Sequence, residues 1–409
     1  MKRPELLIPA GSLEVLKVAV TFGADAVYIG GEAFGLRAKA KNFSIKEVRE
    51  GISFAHAQGV KVYLTVNIFA HNEDLEGIRD YLSQIAPLQP DALLISDPGV
   101  FTLAREICPQ IDIHISTQAN NTNYATCLFW HELGAKRIVA ARELSLAELA
   151  QIREKMPDDM ELEAFVHGAM CVSYSGRCLL SNYFTGRDAN RGECTHPCRW
   201  KYVIEEESRP GQYLPVYENE RGTFLFNSAD LCMIAYIPEL IAAGIDSFKV
   251  EGRMKNALYV AAVTRTYRRA IDDFLEDPVR YRANMDWYLE QVRACTYRKF
   301  STGFFFGKPD ESAMIYDEST YGKDYTYLGI VGERNADGLY HIEQKNKFSV
   351  GELIEIMKPN GENIKVQVKE IRNEEGDQME SAPHPQQSIY IDLGHEMDLF
   401  DVLRRREAE

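Results

Sequence analysis

"ELLIPAGSLEVLKVAVTFGADAVYIGG", residues 5–31, holds one full alternation of element types. A short apolar run ends at Pro9. Ser12 stands where a helix N-cap belongs, an amphipathic stretch follows, and Gly23 is a stop signal. A second apolar run, "AVYIGG", then begins at Ala26. Near-continuous apolar strands that alternate with helices imply parallel strands covered by helices.

The unit recurs through "KVYLTVN" (61–67), "ALLISD" (92–97), "IDIHISTQ" (111–118), "RIVAAREL" (137–144) and "ELEAFVHG" (161–168). Ser44 and Gly59 bracket the second helix, "SIKEVREGISFAHAQG". An eighth strand is expected at "IDSFKVEG" (245–252), after the helix "IPELIAAG". The count predicts an α/β fold, a TIM-like (β/α)8 barrel distorted in its second half, with an open doubly wound sheet as the alternative. In a barrel the strand ends converge on one face. Here they are Asn67, Asp97, Gln118, Arg142, His167 and Glu251, of which Asp97, before Pro98-Gly99, reads as a turn former.

Barrel sequence is expected over 1–310, interrupted by an insertion over 169–235. A small all-β module, closed as a barrel, is expected over 327–409, from runs such as "YTYLGIVGE" and "SIYIDL". That last region has 10 Lys/Arg against 17 Asp/Glu, so it has no strong electrostatic attraction for nucleic acid.

The 409 residues carry a net charge of -15. An acidic chain repels phosphate overall, so RNA contact needs a local basic patch. Segment 177–201 supplies one, with five Lys/Arg, two Asp/Glu, and Tyr183, Phe184 and Trp200 for stacking. A solvated loop packed on the barrel is the competing reading. No apolar run approaches the roughly 20 residues of a membrane span, and no apolar signal follows Met1-Lys2-Arg3. The expectation is a cytoplasmic protein with no membrane contact, where clustered cysteines point to a metal or to catalysis.

Eight cysteines are present, and five of them lie within the insertion: Cys171, Cys178, Cys194, Cys198 and Cys232. Cys108, Cys127 and Cys295 read as buried small hydrophobes. The irregular spacing lacks the paired CxxC of a structural zinc site and suits a loop-wrapped iron–sulfur cluster. Zinc and redox or structural thiols remain alternatives. CxxxCxxC, HExxH, GxxxxGK[ST] and GxSxG are all absent from the sequence.

"EAFVHGAMCVSYSGRCLLS" (163–181) meets every fixed position of E-x-F-x-x-G-[AS]-[LM]-C-x4-G-x-C-x-[LIVM]-S, from Glu163 and Phe165 through Gly168, Cys171, Gly176 and Cys178 to Ser181. The chain thereby resembles peptidase family U32. "NRGECTHPCRW", "FLFNSADLCMI" and "SFKVEGRMKNALYV" extend the resemblance over most of its length. The family takes its name from collagenase-like proteolysis, and a U32-type peptidase is one implied function. Members of this kind carry a 4Fe–4S cluster and support hydroxylation of tRNA, ribosomal RNA or a ubiquinone precursor. The resemblance implies conversion of wobble uridine in tRNA to 5-hydroxyuridine, with prephenate as co-substrate, tRNA as partner and an electron donor protein as a further partner. Carried over by motif, the cluster ligands are Cys171, Cys178, Cys194 and Cys232, with Cys198 as the alternative.

Prephenate is a dicarboxylate, and arginine forks suit carboxylates. Arg37, Arg142, Arg187, Arg191 and Arg253 are the candidates, with Arg199 beside them. Asn67 and Gln118 are further substrate-binding candidates. His167, Glu251 and Tyr174 are the candidate catalytic groups, and His167 near Cys171 is the one pair suggestive of a protease.

Overall fold

The computed structural model describes residues 2–32, 42–171, 173–200, 204–205, 213–214, 229–294, 297–308, 324–384 and 386–407. Arg37 and Cys295 lie outside these residues, as does the side chain of Arg199.

Seven parallel strands follow one another round the sheet: β1 (Glu5–Pro9), β2 (Ala26–Gly30), β3 (Lys61–Val66), β4 (Ala92–Ile95), β5 (Asp112–Ile115), β6 (Arg137–Val139) and β7 (Glu161–Gly168). Two short insertion strands, β8 (Ile204–Glu205) and β9 (Tyr213–Leu214), pair with each other. β10 (Asp230–Cys232) runs antiparallel to the end of β7. β11 (Ser247–Val250) then pairs in parallel with both β1 and β7, which closes an eight-stranded (β/α)8 barrel. The departure from regularity is the stretch between β7 and β11, where the insertion adds an antiparallel strand to the rim.

Local chemistry explains the elements. Ser12 accepts from the Val15 amide to cap α1 (Leu13–Thr21). Ser44 and Glu47 form a reciprocal capping box at the start of α2 (Ile45–His56). Asp97 caps the helix Pro98–Ile107 through the Gly99 and Val100 amides, so it is a structural residue.

The apolar core lies between strands and helices, as the near-continuous apolar runs require. Inside the barrel, Leu7, Ala26, Tyr28, Tyr63, Ala92 and Leu94 form a second, smaller cluster. Below the mouth, a buried ion network replaces the branched apolar layers usual in such barrels. The Arg137 guanidinium donates to Glu5 at 2.6 Å, to Glu161 at 2.8 Å and to Glu163 at 2.9 Å, and the Lys249 ammonium donates to Glu163 at 2.7 Å.

The C-terminal module is an antiparallel sheet of seven strands between Tyr325 and Arg406. Its two edge strands, Asn363–Gln367 and Glu370–Arg372, are separated by two residues of chain. Two residues reach only about 10 Å, so the sheet must roll until its edges are neighbours. The small all-β domain expected from sequence is thus present as a rolled antiparallel sheet, and no ladder joins those two edges among the described residues.

Among the described residues no helix is long and apolar enough to cross a membrane.

Candidate functional site

A cavity of about 200 Å³ opens at the C-terminal ends of the barrel strands, beneath the loop that follows β7. Its floor includes Tyr28, Thr65, Asn67, Phe165 and Lys249, and Gln118, Arg142, Glu251 and Arg253 also line it. The strand-end residues therefore converge as the barrel geometry demands.

Asn67 Nδ2 donates to Ser116 Oγ at 3.4 Å, while its buried Oδ1 has no protein partner. Gln118 Oε1 accepts from Ser96 Oγ at 3.3 Å. Arg142 donates to the Ala169 carbonyl at 3.1 Å and to Ser175 Oγ at 2.9 Å, with its guanidinium 5.1 Å from the centre of the Phe165 ring. It thus ties the cysteine loop to the barrel. Arg253 donates to Thr65 Oγ1 at 3.0 Å and to Asn42 Oδ1 at 3.4 Å.

Two predicted arginines stand elsewhere. Arg191 pairs with Glu73 at 3.1 Å and Asp74 at 2.8 Å, a contact that pins the insertion to the helical layer. Arg187 is exposed on the loop and is not among the cavity residues.

Cys171, Cys178, Cys194 and Cys198 all line the cavity. Cys232 does not. It is buried on β10, its sulfur 4.0 Å from the Tyr267 hydroxyl, and burial pushes its thiol up to about 11. Cys108 and Cys127 are buried, as their reading as small hydrophobes expects.

Four cysteines on loops over one cavity are a soft donor set. A single zinc would draw its sulfurs to about 2.3 Å from one point. Among the described residues no three His, Cys, Asp or Glu are arranged to hold one ion. A 4Fe–4S group takes each thiolate at a different iron, so its sulfurs stand farther apart. Four such thiolates are a donor set that suits a 4Fe–4S cluster or a zinc ion.

His167 faces away from the cavity. The pairing of β7 with β11 skips Val166, matching Phe165 to Lys249 and His167 to Val250. Such a bulge re-aims the side chains that follow it. Phe165 stays on the cavity, whereas His167 packs among Tyr259, Tyr267 and Phe300. Burial drives its imidazole down to about 4, so the ring is neutral. The suggestive His167–Cys171 pair of a protease is therefore not assembled. Gly168, next in the chain, has φ +107°, and a Cβ there would meet the Glu251 carbonyl oxygen at 2.4 Å. Only glycine lets the chain turn from β7 into the cysteine loop.

Tyr174 lines the cavity and is 46% exposed. Further out, Tyr183, Phe184 and Trp200 are exposed, with ring centres 5.2 and 6.1 Å apart in sequence order.

Sequence reasoning missed Lys249 and Thr65. The signal for Lys249 was available: Lys249, Glu251 and Arg253 recur at every second position, the period that places side chains on one face of a strand.

A closed (β/α)8 barrel with a cysteine-lined cavity at its mouth is the class of protein defined by fold and site. The profile of peptidase family U32 matches residues 11–315, and that of the peptidase family U32 C-terminal domain matches 323–404. The chain belongs to peptidase family U32. It is 40% identical to tRNA hydroxylation protein P1 of Bacillus subtilis, over 99% of this chain and 95% of that one. It is 37% identical to tRNA hydroxylation protein P of Escherichia coli, over 99% and 97%. A 23S rRNA 5-hydroxycytidine synthase of Escherichia coli is 38% identical, over 67% of this chain and 40% of that protein.

Proposed function

We propose that this chain is an RNA-modifying hydroxylation enzyme, and that it converts wobble uridine of tRNA to 5-hydroxyuridine with prephenate as co-substrate. The observation that supports this reading best is the cysteine-lined cavity at the barrel mouth, in a chain similar over its full length to proteins named for tRNA hydroxylation.

Replacing C–H by C–OH on a pyrimidine removes two electrons and adds an oxygen atom. Side chains supply neither, so a cofactor must carry that step. A 4Fe–4S cluster, when bound, would supply one-electron redox chemistry or an iron site for oxygen chemistry. Cys171, Cys178 and Cys194 would hold it, with Cys198 as the fourth ligand favoured by its place on the cavity wall. Cys232 would reach the cavity only by turning from Tyr267.

The chain's own residues bind and orient. Asn67 and Gln118 offer amides to the edge of a pyrimidine, as enzymes that extrude a base commonly do. Glu251 and Tyr174 are the proton-handling candidates on the cavity wall. Arg142 and Arg253 are the candidate carboxylate forks for prephenate. Tyr183, Phe184 and Trp200 offer stacking faces for the bases around the target, with the exposed Arg177 and Arg187 for phosphates.

Two measurements test this reading. Anaerobically purified protein should be brown and hold about four irons. Cys198→Ala should lose iron and Cys232→Ala keep it; the opposite pattern would return Cys232 to the ligand set. Mass spectrometry of nucleosides from a deletion strain should show 5-hydroxyuridine missing from tRNA and restored by the wild-type chain. Unchanged tRNA beside lost ribosomal 5-hydroxycytidine would move the substrate to ribosomal RNA.

A further inference from the structure

Lys249 is 3% exposed, yet it lines the cavity. Its ammonium lies 4.6 Å from the ring centre of Tyr28 and 5.4 Å from that of Phe165, and both rings line the same cavity. An ammonium has three N–H donors. One goes to Glu163 Oε1 at 2.7 Å. The aromatic faces attract the charge but provide no acceptor lone pair.

Glu163 does not neutralise Lys249 alone. Its other oxygen accepts from Arg137 at 2.9 Å, so one carboxylate is divided between two cations. Glu5 and Glu161 share the Arg137 charge as well, so the excess of positive charge lies on the cavity lining and not in the network beneath it. Among the described residues Arg142, Lys249 and Arg253 line the cavity against one carboxylate, Glu251.

We propose that Lys249 is the anion anchor of this cavity, where it takes a carboxylate of a small organic acid. Glu163 is the counter-ion that competes with the acid for this ammonium. The site lies too deep for an RNA backbone, whose phosphates stay at the rim with Arg177 and Arg187. A free acid reaches it, and Asn67 stands on the same floor with a buried, unpartnered Oδ1 that can accept from a hydroxyl of the acid. The assignment rests on the cavity being the reaction site proposed above.

The test is isothermal titration of the full chain, purified anaerobically, with prephenate, with succinate and with tRNA as probes. Prephenate should bind, and Lys249→Met should weaken it about tenfold or more, the scale of a lost charge-assisted hydrogen bond. Affinity for tRNA should not change. Glu163→Gln removes the carboxylate that competes for the ammonium, so prephenate should bind as well as or better than in wild type. Melting curves and iron content establish that each variant is folded. Wild-type affinity for prephenate in Lys249→Met would overturn the assignment, as would a wild-type chain that binds neither acid. Should Lys249→Met not fold, Glu163→Gln decides: weaker binding there means that the pair is only structural. Acid binding that depends on Lys249, in a chain that leaves tRNA unmodified in cells, would sink the hydroxylation reading and spare the anchor.

Discussion

Arg253 reaches the cavity because the residue facing it has no side chain. A Cβ on Gly30 would lie 2.2 Å from an Arg253 terminal nitrogen. Gly30→Ala must therefore push the guanidinium off Thr65 Oγ1. The strain should cost about 1–3 kcal/mol of stability. Displacement of a substrate-positioning group by about 1 Å can cost on the order of a hundredfold in rate. A melting curve and the 5-hydroxyuridine content of complemented tRNA would read the two effects separately, and full activity in the Gly30→Ala enzyme would deny Arg253 a role. Arg253 was legible in the sequence because it follows a strand that had to end at the barrel mouth. Lys249 shares a period of two with Glu251 and Arg253, but a lysine inside "SFKVEG" reads most simply as an edge or surface position, so that signal was passed over. Its value appears only once Glu163 and Arg137 are seen beneath it. The cysteines divide likewise. Clustering in sequence marked five of them as one group, but the directions of Cys198 and Cys232 depend on loop and strand geometry that spacing does not encode.

Strands β1, β6, β7 and β11 meet in the ion network around Arg137, which joins sequence positions far apart. The apolar periodicity that marks these strands was readable because burial on both faces leaves near-continuous apolar runs. The bulge at Val166 was not readable, and it alone moves His167 from the mouth to the helical layer. The network makes stability depend on acid. Burial raises the Glu5 carboxyl, but the Arg137 charge and the hydrogen bonds from Arg137 and Tyr63 outweigh it, and Glu5 is held below its ordinary value. A carboxyl depressed on folding stabilises fully above its unfolded value, about 4.3, and loses that contribution as pH falls through its folded value. Glu5→Gln should cost about 3 kcal/mol at neutral pH, because Arg137 would keep only Glu161 and Glu163. The melting temperature of the wild type should fall more steeply than that of Glu5→Gln between about pH 5 and pH 3. Parallel curves would show that Glu5 does not carry the effect.

At the scale of the molecule, a barrel whose mouth holds the cavity is fused along its flank to a rolled β-sheet. No residue of that sheet lines the cavity among the described residues. The two parts share one apolar cluster, since Tyr325, Tyr327, Ile330, Met357 and Val402 pack with the barrel's outer core. The division into barrel, insertion and β module was visible in the change of hydrophobic period; the joint between them was not, because both its apolar and its polar contacts join residues far apart in sequence. Arg265, on the helix Ala257–Glu276, donates to the Lys358 carbonyl at 2.9 Å, the Glu362 carbonyl at 3.2 Å and Asn363 Oδ1 at 3.1 Å, all in the sheet. It also donates to Gln291 Oε1 at 2.8 Å, which accepts from Arg404 of the sheet at 3.2 Å. Arg265→Ala removes three hydrogen bonds from the helix to the β module, although the Lys358 and Glu362 carbonyls keep the Gly361 and Lys358 amides, and the loss should cost about 3 kcal/mol in total. Because the loss falls on the joint and not on either core, the two parts should no longer unfold together. Scanning calorimetry should resolve the single wild-type transition into two, with the sheet melting first. Hydroxylation of tRNA below that first transition should match wild type, since the cavity draws nothing from the sheet. One shifted but undivided transition would mean that the shared apolar cluster, and not the arginine joint, makes barrel and sheet a single cooperative unit.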